Sequence, residues 1–375
     1  MNTYSKVIIA VIVIAVIAFT AYRYSKDGGQ SASGEPIKIG AILSQSGVAA
    51  AFGEVALKAA NLAVDEINAK GGINGRQVQL FVEDDHTEPK QAVTAFNKLT
   101  GVDKVDAVFG GLFDFTAQPL LPLALSQKIT FISPINARIP GYFESNDQSF
   151  VMLSDFEKII RNLKPVLEQK KVKRLAVVRF GSEFGKEITR VLKASVEETG
   201  GQLVLDEEYG QIGGNDFRTV ILKVKNAKPD AVFIDMLSSD AVAFLQRAKE
   251  NSFAPLVMTH EDIIDALSNS STDKKLLEGV VILQWGASSP EFNKLYKDKF
   301  GADSVKSADK SYDAVYLLAE AIANSSDKAS VAAYIEDNEF ETVNGKIKFT
   351  KDHAAESSLV RVEVIKNGQL TSWVE

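Results

Sequence analysis

The stretch that decides the fold runs from Ile37 to Thr100. It comprises IKIGAIL (Ile37–Leu43), the turn SQSG (Ser44–Gly47), and AFGEVALKAANLAVDEINAKGGINGRQVQLFVEDDHTEPKQAVTAFNKLT (Ala51–Thr100). It reads as strand, Gly-containing turn, long helix, strand, short loop and helix. In the first helix Val55, Ala59, Leu62, Ala63 and Ile67 recur at helical spacing. Gly71 and Gly72 then end it, because glycine takes the left-handed cap without a Cβ clash.

Outward from this segment the same alternation continues, which is the pattern of parallel α/β sheets. In the first series the strand candidates are Lys38–Leu43, Val78–Val82, Ala107–Phe109 and Thr130–Ser133. Helices are predicted near Gly53–Lys70, Pro89–Leu99 and Gln118–Gln127. A second series begins near Asp155, with strands at Arg174–Val178, Gln202–Leu205, Ala231–Asp235 and Leu256–Met258. Its helices lie near Lys186–Glu198, Phe217–Asn226 and Ala241–Asn251. The C-terminal part adds a strand at Val280–Gln284, a helix at Tyr312–Ala323, and a hairpin of Val360–Ile365 and Leu370–Val374 turning on Asn367-Gly368. Two successive series of similar length predict two similar parallel-sheet lobes rather than one large sheet.

Length agrees, since 375 residues exceed what one hydrophobic core usually serves. A net charge of −7 argues against nucleic acid, which needs clustered Lys and Arg to replace phosphate counterions. The short KKVKR run (Lys170–Arg174) reads as the solvated end of a helix. With no cysteine in the chain, disulfides, cysteine nucleophiles and thiolate metal sites are excluded.

The apolar run Val7–Ala21 (VIIAVIVIAVIAFTA) is flanked by Lys6 and by Tyr22, Arg23, Tyr24 and Lys26. With its aromatic flank it covers roughly 24 Å as a helix, short for a span but long for the core of a cleaved signal. Phe19 is badly placed for cleavage after Ala21, and the tyrosines suit an interface. Residues 1–24 are therefore expected to be an uncleaved signal anchor, the alternative being a removed signal peptide. Residues 25–36 are expected to be a flexible linker.

Signatures of catalysis are missing. His86, His260 and His353 are not spaced as metal ligands, and His260-Glu261-Asp262-Ile263-Ile264 lacks the second histidine of a zinc-protease helix. Gly181-Ser-Glu-Phe-Gly185-Lys186 is one residue short of a phosphate loop, with Glu187 where Ser or Thr should meet magnesium. There is no G-x-G-x-x-G after a strand and no G-x-S-x-G elbow. No enzyme, cofactor or metal is expected. The strand-to-helix turns remain, and in open parallel sheets these are where ligands bind.

The helix ending DEINAKGGINGR, the acidic turn DDHTEPKQAV, Gln118-Pro119, Phe131-Ile132-Ser133-Pro134, Phe184-Gly185 and Tyr312-Asp313-Ala314-Val315 together carry a resemblance. The chain from Ile37 to Glu375 resembles type I periplasmic binding proteins, in the branched-chain amino-acid (leucine-binding) group of ABC-transporter receptors. The resemblance implies an extracytoplasmic solute-binding protein that closes on a small ligand by hinge motion and meets ABC permease subunits, as a monomer. It implies an N-terminal lobe of 37–153 plus 285–348 and a C-terminal lobe of 154–284 plus 349–375. Three hinge crossings would lie near Leu153, Gln284 and Lys348. A sensory receptor on the same fold is the alternative.

Carried over residue by residue, the resemblance implies ligand contacts from Phe52, Asp114, Thr116, Asn136, Ala137, Phe184, Leu237 and Glu261. Phe52 and Phe184 would be the aromatics that close on the ligand, and Glu261 the receiver of an ammonium, since a buried cation needs a partner. Three positions depart from the amino-acid-binding pattern: Asp114 replaces an expected Ser, Ala137 an expected Thr, and Leu237 a tyrosine. Three readings are open. Arg138 turns inward with Thr116 to hold a ligand carboxylate; the ligand is cationic or neutral and pairs with Asp114; or Asp114 only caps the following helix.

Overall fold

The chain adopts two α/β sheets, each covered by helices, in a computed structural model that describes residues 34–373 apart from 143, 211–212, 286–287, 303, 305–307 and 357–359. The apolar run before residue 24 lies outside the described residues. Among the described residues no helix is long and apolar enough to cross a membrane.

The first sheet contains β1 (Ile37–Leu43), β2 (Val78–Asp84), β3 (Ala107–Gly110), β4 (Phe131–Ser133) and β5 (Ser149–Val151), in the order β2-β1-β3-β4-β5. Every neighbouring pair is parallel. Helices α1 (Ala50–Ala69), α2 (Pro89–Lys98) and α3 (Leu121–Gln127) connect the strands. Parallel strands with helices on both faces are buried throughout, which is why β3 and β4 read as unbroken apolar runs. At the end of α1 the Gly72 N–H donates to the Ile67 carbonyl at 2.9 Å, and Gly71 and Gly72 have φ of +94° and +81°. A side chain at either position would be strained.

The second sheet begins with β6 (Arg174–Phe180), β7 (Gln202–Tyr209), β8 (Ala231–Asp235), β9 (Leu256–His260) and β10 (Val281–Trp285). Between them lie α4 (Glu183–Glu198), α5 (Arg218–Asn226) and α6 (Ser238–Glu250). The chain then returns to the first sheet. There α7 (Pro290–Phe300), α8 (Ala308–Asn324) and α9 (Val331–Asp337) share one apolar core with β1 and α1. A hairpin of β11 (Phe340–Thr342) and β12 (Gly345–Ile347) follows. Last, β13 (Val360–Lys366) and β14 (Gln369–Ser372) add antiparallel strands beside β10, giving the order β14-β13-β10-β9-β8-β6-β7. Asn367 and Gly368 have φ of 52° and 71°, as the two-residue turn between those strands requires.

All the strands expected from the sequence form, and several helices run a few residues further than expected. Pattern reading misses β5, β11 and β12, each three residues long and too short for a period to show. It also misses α7 and α9.

Candidate functional site

The carboxyl ends of β1, β3 and β4 face those of β6, β7, β8, β9 and β10 across a cleft whose empty space, open solvent included, is about 750 Å³. From the first sheet the wall includes Phe52, Phe113, Asp114, Phe115 and Asn136. From the second it includes Phe180, Phe184, Tyr209, Asp235, Leu237, His260, Glu261, Asp262 and Trp285. This is where the strand-end rule for parallel sheets puts a ligand site.

Aromatic rings form a continuous wall across the cleft. Phe52 meets Phe113 edge-on at 5.3 Å between centroids, Phe113 stacks on Phe115 at 5.5 Å, and Phe115 meets Phe180 from the other sheet at 6.4 Å. Phe180 continues to Tyr209 at 5.9 Å. On the other side Trp285 packs on Phe184 at 5.9 Å and on the His260 ring at 5.2 Å.

Phe52 is held there by the residue after it. A Cβ on Gly53 would stand 2.0 Å from the Ser44 carbonyl oxygen, so only glycine lets the start of α1 lie against the end of β1. On the second sheet Ser182 Oγ accepts the Gly185 N–H at 3.0 Å, which caps α4 and sets Phe184 in its first turn.

Between these walls the charge is acidic. Asp114 is 6% exposed, and its Oδ2 accepts the Phe184 N–H at 3.3 Å, a bond from one sheet's elements to the other's. Burial pushes its carboxyl up to about 6, aided by Asp235 and Glu183 and opposed by the N–H groups of Phe115 and Phe184. His260 lies between two carboxylates, with Nε2 3.0 Å from Asp235 Oδ1 and Nδ1 3.5 Å from Asp262 Oδ2. Burial opposes a charge on this imidazole, but Asp262, Asp235 and Glu261 outweigh it and raise its pKa. Near Glu261 sits Lys310 of α8, buried and 2.9 Å from Asp309 Oδ2. No Lys or Arg occurs among the described lining residues.

Of the eight residues singled out from the sequence, Phe52, Asp114, Asn136, Phe184, Leu237 and Glu261 reach the cavity wall. Thr116 does not line the cavity: its hydroxyl donates to the Phe113 carbonyl at 3.0 Å and accepts the Phe113 N–H at 3.3 Å, closing its own helical turn. Ala137 does not line it either and packs into the core with Val151 and Phe156. Arg138 does not turn inward. Its guanidinium lies 3.4 Å from Asp155 and 3.7 Å from Glu144, so it is committed to a local acidic pair. Nor is Asp114 only a cap, because Phe113 holds the cap position of Asp114–Ala117 while the Asp114 carboxylate reaches α4.

Sequence reasoning missed Asp235, Trp285 and Tyr209 as wall residues. Each is the last residue of its strand, and that position was the available signal.

Two α/β sheets with an aromatic-walled cavity between their strand ends define a solute receptor with a binding cleft. The family profile of periplasmic binding proteins matches residues 36–369, and the chain belongs to that family as a solute-binding protein. Relatives include an amino acid binding protein of Pseudomonas aeruginosa, 26% identical over 334 residues, covering 84% of this chain and 86% of the relative. The Leu/Ile/Val-binding protein of Escherichia coli is 25% identical over 325 residues, with the same coverage of 84% and 86%. Among solved structures, the branched-chain amino acid transporter substrate binding protein LivJ of Streptococcus pneumoniae, in complex with isoleucine, superposes with a TM-score of 0.79 at 24% identity. The match covers 90% of this chain and 98% of that one. A solute binding protein of Rhodopseudomonas palustris, in complex with 3,4-dihydroxybenzoic acid, gives 0.77 at 21% identity, covering 90% and 95%.

Proposed function

We propose that the chain is the extracytoplasmic receptor of an ABC importer, which closes over a small amino-acid-like or related ligand and presents the closed form to permease subunits. The observation that carries this reading is the shared cavity, whose wall comes from both sheets and is bridged by the bond from Phe184 to Asp114. A ligand touching both sides favours closure by its differential affinity for the closed state. The moving bodies would be 37–153 plus 285–348 and 154–284 plus 349–375, turning about the crossings near Leu153, Gln284 and Lys348. Contacts such as the Val151 N–H donating to the His353 carbonyl at 3.0 Å would tie two of these crossings together. The candidate ligand contacts are Phe52, Asp114, Asn136, Phe184, Leu237 and Glu261. Residues 1–24 would tether the receptor to the membrane, which the N-terminal mass of the mature protein tests.

The first experiment is thermal unfolding of the full chain against amino acids, polyamines, amides and aromatic acids, with small-angle scattering on each hit. Ligand at about 100 times its Kd stabilises by roughly 2.7 kcal/mol, a shift of a few degrees. A hit that also compacts the protein supports the reading; a hit that is chemically turned over sinks it. For any ligand so found, Phe184→Ala should weaken binding about tenfold by calorimetry, because the ring closes the wall against Trp285.

A further inference from the structure

The departures from the amino-acid-binding pattern converge on one end of the cavity. Asp114 Oδ2 sits on the Phe184 N–H, while a Cβ on the next residue, Gly185, would be 2.9 Å from Asp235 Oδ2. The two carboxylates therefore both approach the Phe184–Gly185 segment, one from each sheet, close enough for Asp235 to raise the Asp114 pKa. Asp235 is 7% exposed and lines the cavity. Its Oδ1 is taken by His260, and its Oδ2 has no hydrogen-bond partner among the described residues. A buried carboxylate oxygen without a donor is costly and marks a place where a donor belongs.

Three side chains that could receive a ligand carboxylate are committed elsewhere. Asn136 Nδ2 donates to the Gly111 carbonyl at 2.9 Å and to Ser133 Oγ at 2.7 Å. The Tyr209 hydroxyl donates to the Asp235 carbonyl at 3.1 Å. Arg138 is turned away to Asp155. A ligand carboxylate would meet Asp114, Asp235, Glu261 and Asp262, with the His260 ring held between Asp235 and Asp262. A metal ion does not suit the site, because no group of three His, Asp or Glu side chains among the described residues could hold one. The surrounding rings suit an organic cation, whose charge is attracted to aromatic faces.

We propose that the cavity selects a protonated amine with an apolar or aromatic body and no carboxylate, its ammonium bridging Asp114 and Asp235. This rests on the solute-receptor reading and narrows it to a ligand class. The ammonium lies between the Asp235 and Asp114 carboxylates, relieving their mutual repulsion. The body lies on Phe115, Phe180 and Trp285.

The test uses matched pairs that differ only by the carboxylate: isoamylamine against leucine, and 2-phenylethylamine against phenylalanine, with benzoate as the aromatic acid. Calorimetry on the full chain at pH 7.5 should find each amine bound about 50-fold more tightly than its amino acid, since like charges brought together in an interface are strongly unfavourable. Asp114→Asn should remove most of that preference. It should not lower the unfolding midpoint of ligand-free protein. A carboxyl whose pKa is raised by folding loses stability as pH rises from its unfolded value to about 6, so the neutral amide is favoured above that window. Asp235→Asn is the second variant and should weaken amine binding similarly.

Amine affinity should also fall about tenfold from pH 7.5 to pH 5, as Asp114 takes a proton and one counter-charge is lost. The other groups facing the site are Glu183 and Tyr142 near Asp114, His260 beside Asp235, Glu261 and Asp262, and Lys310 near Glu261. Asp262, Asp235 and Glu261 raise the His260 pKa against the opposing effect of its burial. Leucine, phenylalanine or benzoate binding as tightly as the amines overturns the proposal and leaves the receptor reading standing. Failure of both amines to bind at millimolar concentration also overturns it. The receptor reading is then judged separately, by mass spectrometry of whatever small molecule the native protein releases on denaturation.

Discussion

Lys310→Met is expected to destabilise the protein by about 4 kcal/mol at pH 8, and by less as the pH is lowered toward 5. Lys310 is 9% exposed and its ammonium lies 2.9 Å from Asp309, which is fully buried. Asp313, also buried, is pushed up to about 7: burial drives the rise, Asp309 adds to it, and Lys310 and an Asn344 Nδ2 hydrogen bond of 2.9 Å hold it back. Methionine fills a similar volume but takes away the cation that holds the Asp313 pKa down, so the fold then favours the protonated Asp313 more strongly. A carboxyl raised by folding loses stability as pH rises through the window between its unfolded and folded pKa, so the deficit should be largest in alkali and shrink in acid. Urea unfolding at pH 5, 6.5 and 8 measures this. A loss under about 1 kcal/mol that ignores pH would show that the charge pair does not hold α8 in place.

Gly53→Ala should cost about 3 kcal/mol, although alanine is the better helix former. The added carbon would lie 2.0 Å from the Ser44 carbonyl oxygen and 2.3 Å from its carbon, both backbone atoms at the end of β1. Neither can rotate away, so α1 must back off from the strand and take Phe52 with it. The variant should therefore lose stability and ligand affinity together. Gly101→Ala is the control, because a Cβ there meets nothing within 4 Å. Equal unfolding midpoints for the two variants would refute the close-approach argument.

The sheets were legible because parallel strands buried on both faces leave unmistakable apolar runs, such as AVFID in β8 and VILQW in β10. Phe52 and Phe184 were legible through the family resemblance, and the structure adds the backbone constraints that place them, the close approach at Gly53 and the Ser182 cap. Thr116 was misread because a hydroxyl three residues into a helical turn bonds back to its own chain as readily as to a ligand. Ala137 was misread because a methyl group with no polar atom packs into the apolar core. For Asp235 and His260 the strand-end position was a signal, but their pairing with each other shows only in the structure. The role of Asp114 needed the second sheet, because the amide it accepts lies 70 residues further along the chain.

The return of α7, α8 and α9 to the first sheet governs how this chain can be made. Tyr312 hydrogen-bonds Glu66 across 246 positions of sequence, and the core around α1 includes Phe292, Val315, Leu318 and Ile335. While those residues are still on the ribosome, the nascent first half has strands and helices but one apolar face without its cover. Contacts of such long separation are also slow to close. The chain thus reaches its last third before its first sheet can become a finished solid. A chain exported before it folds would benefit from that delay, since its first sheet stays uncovered until the last third has followed.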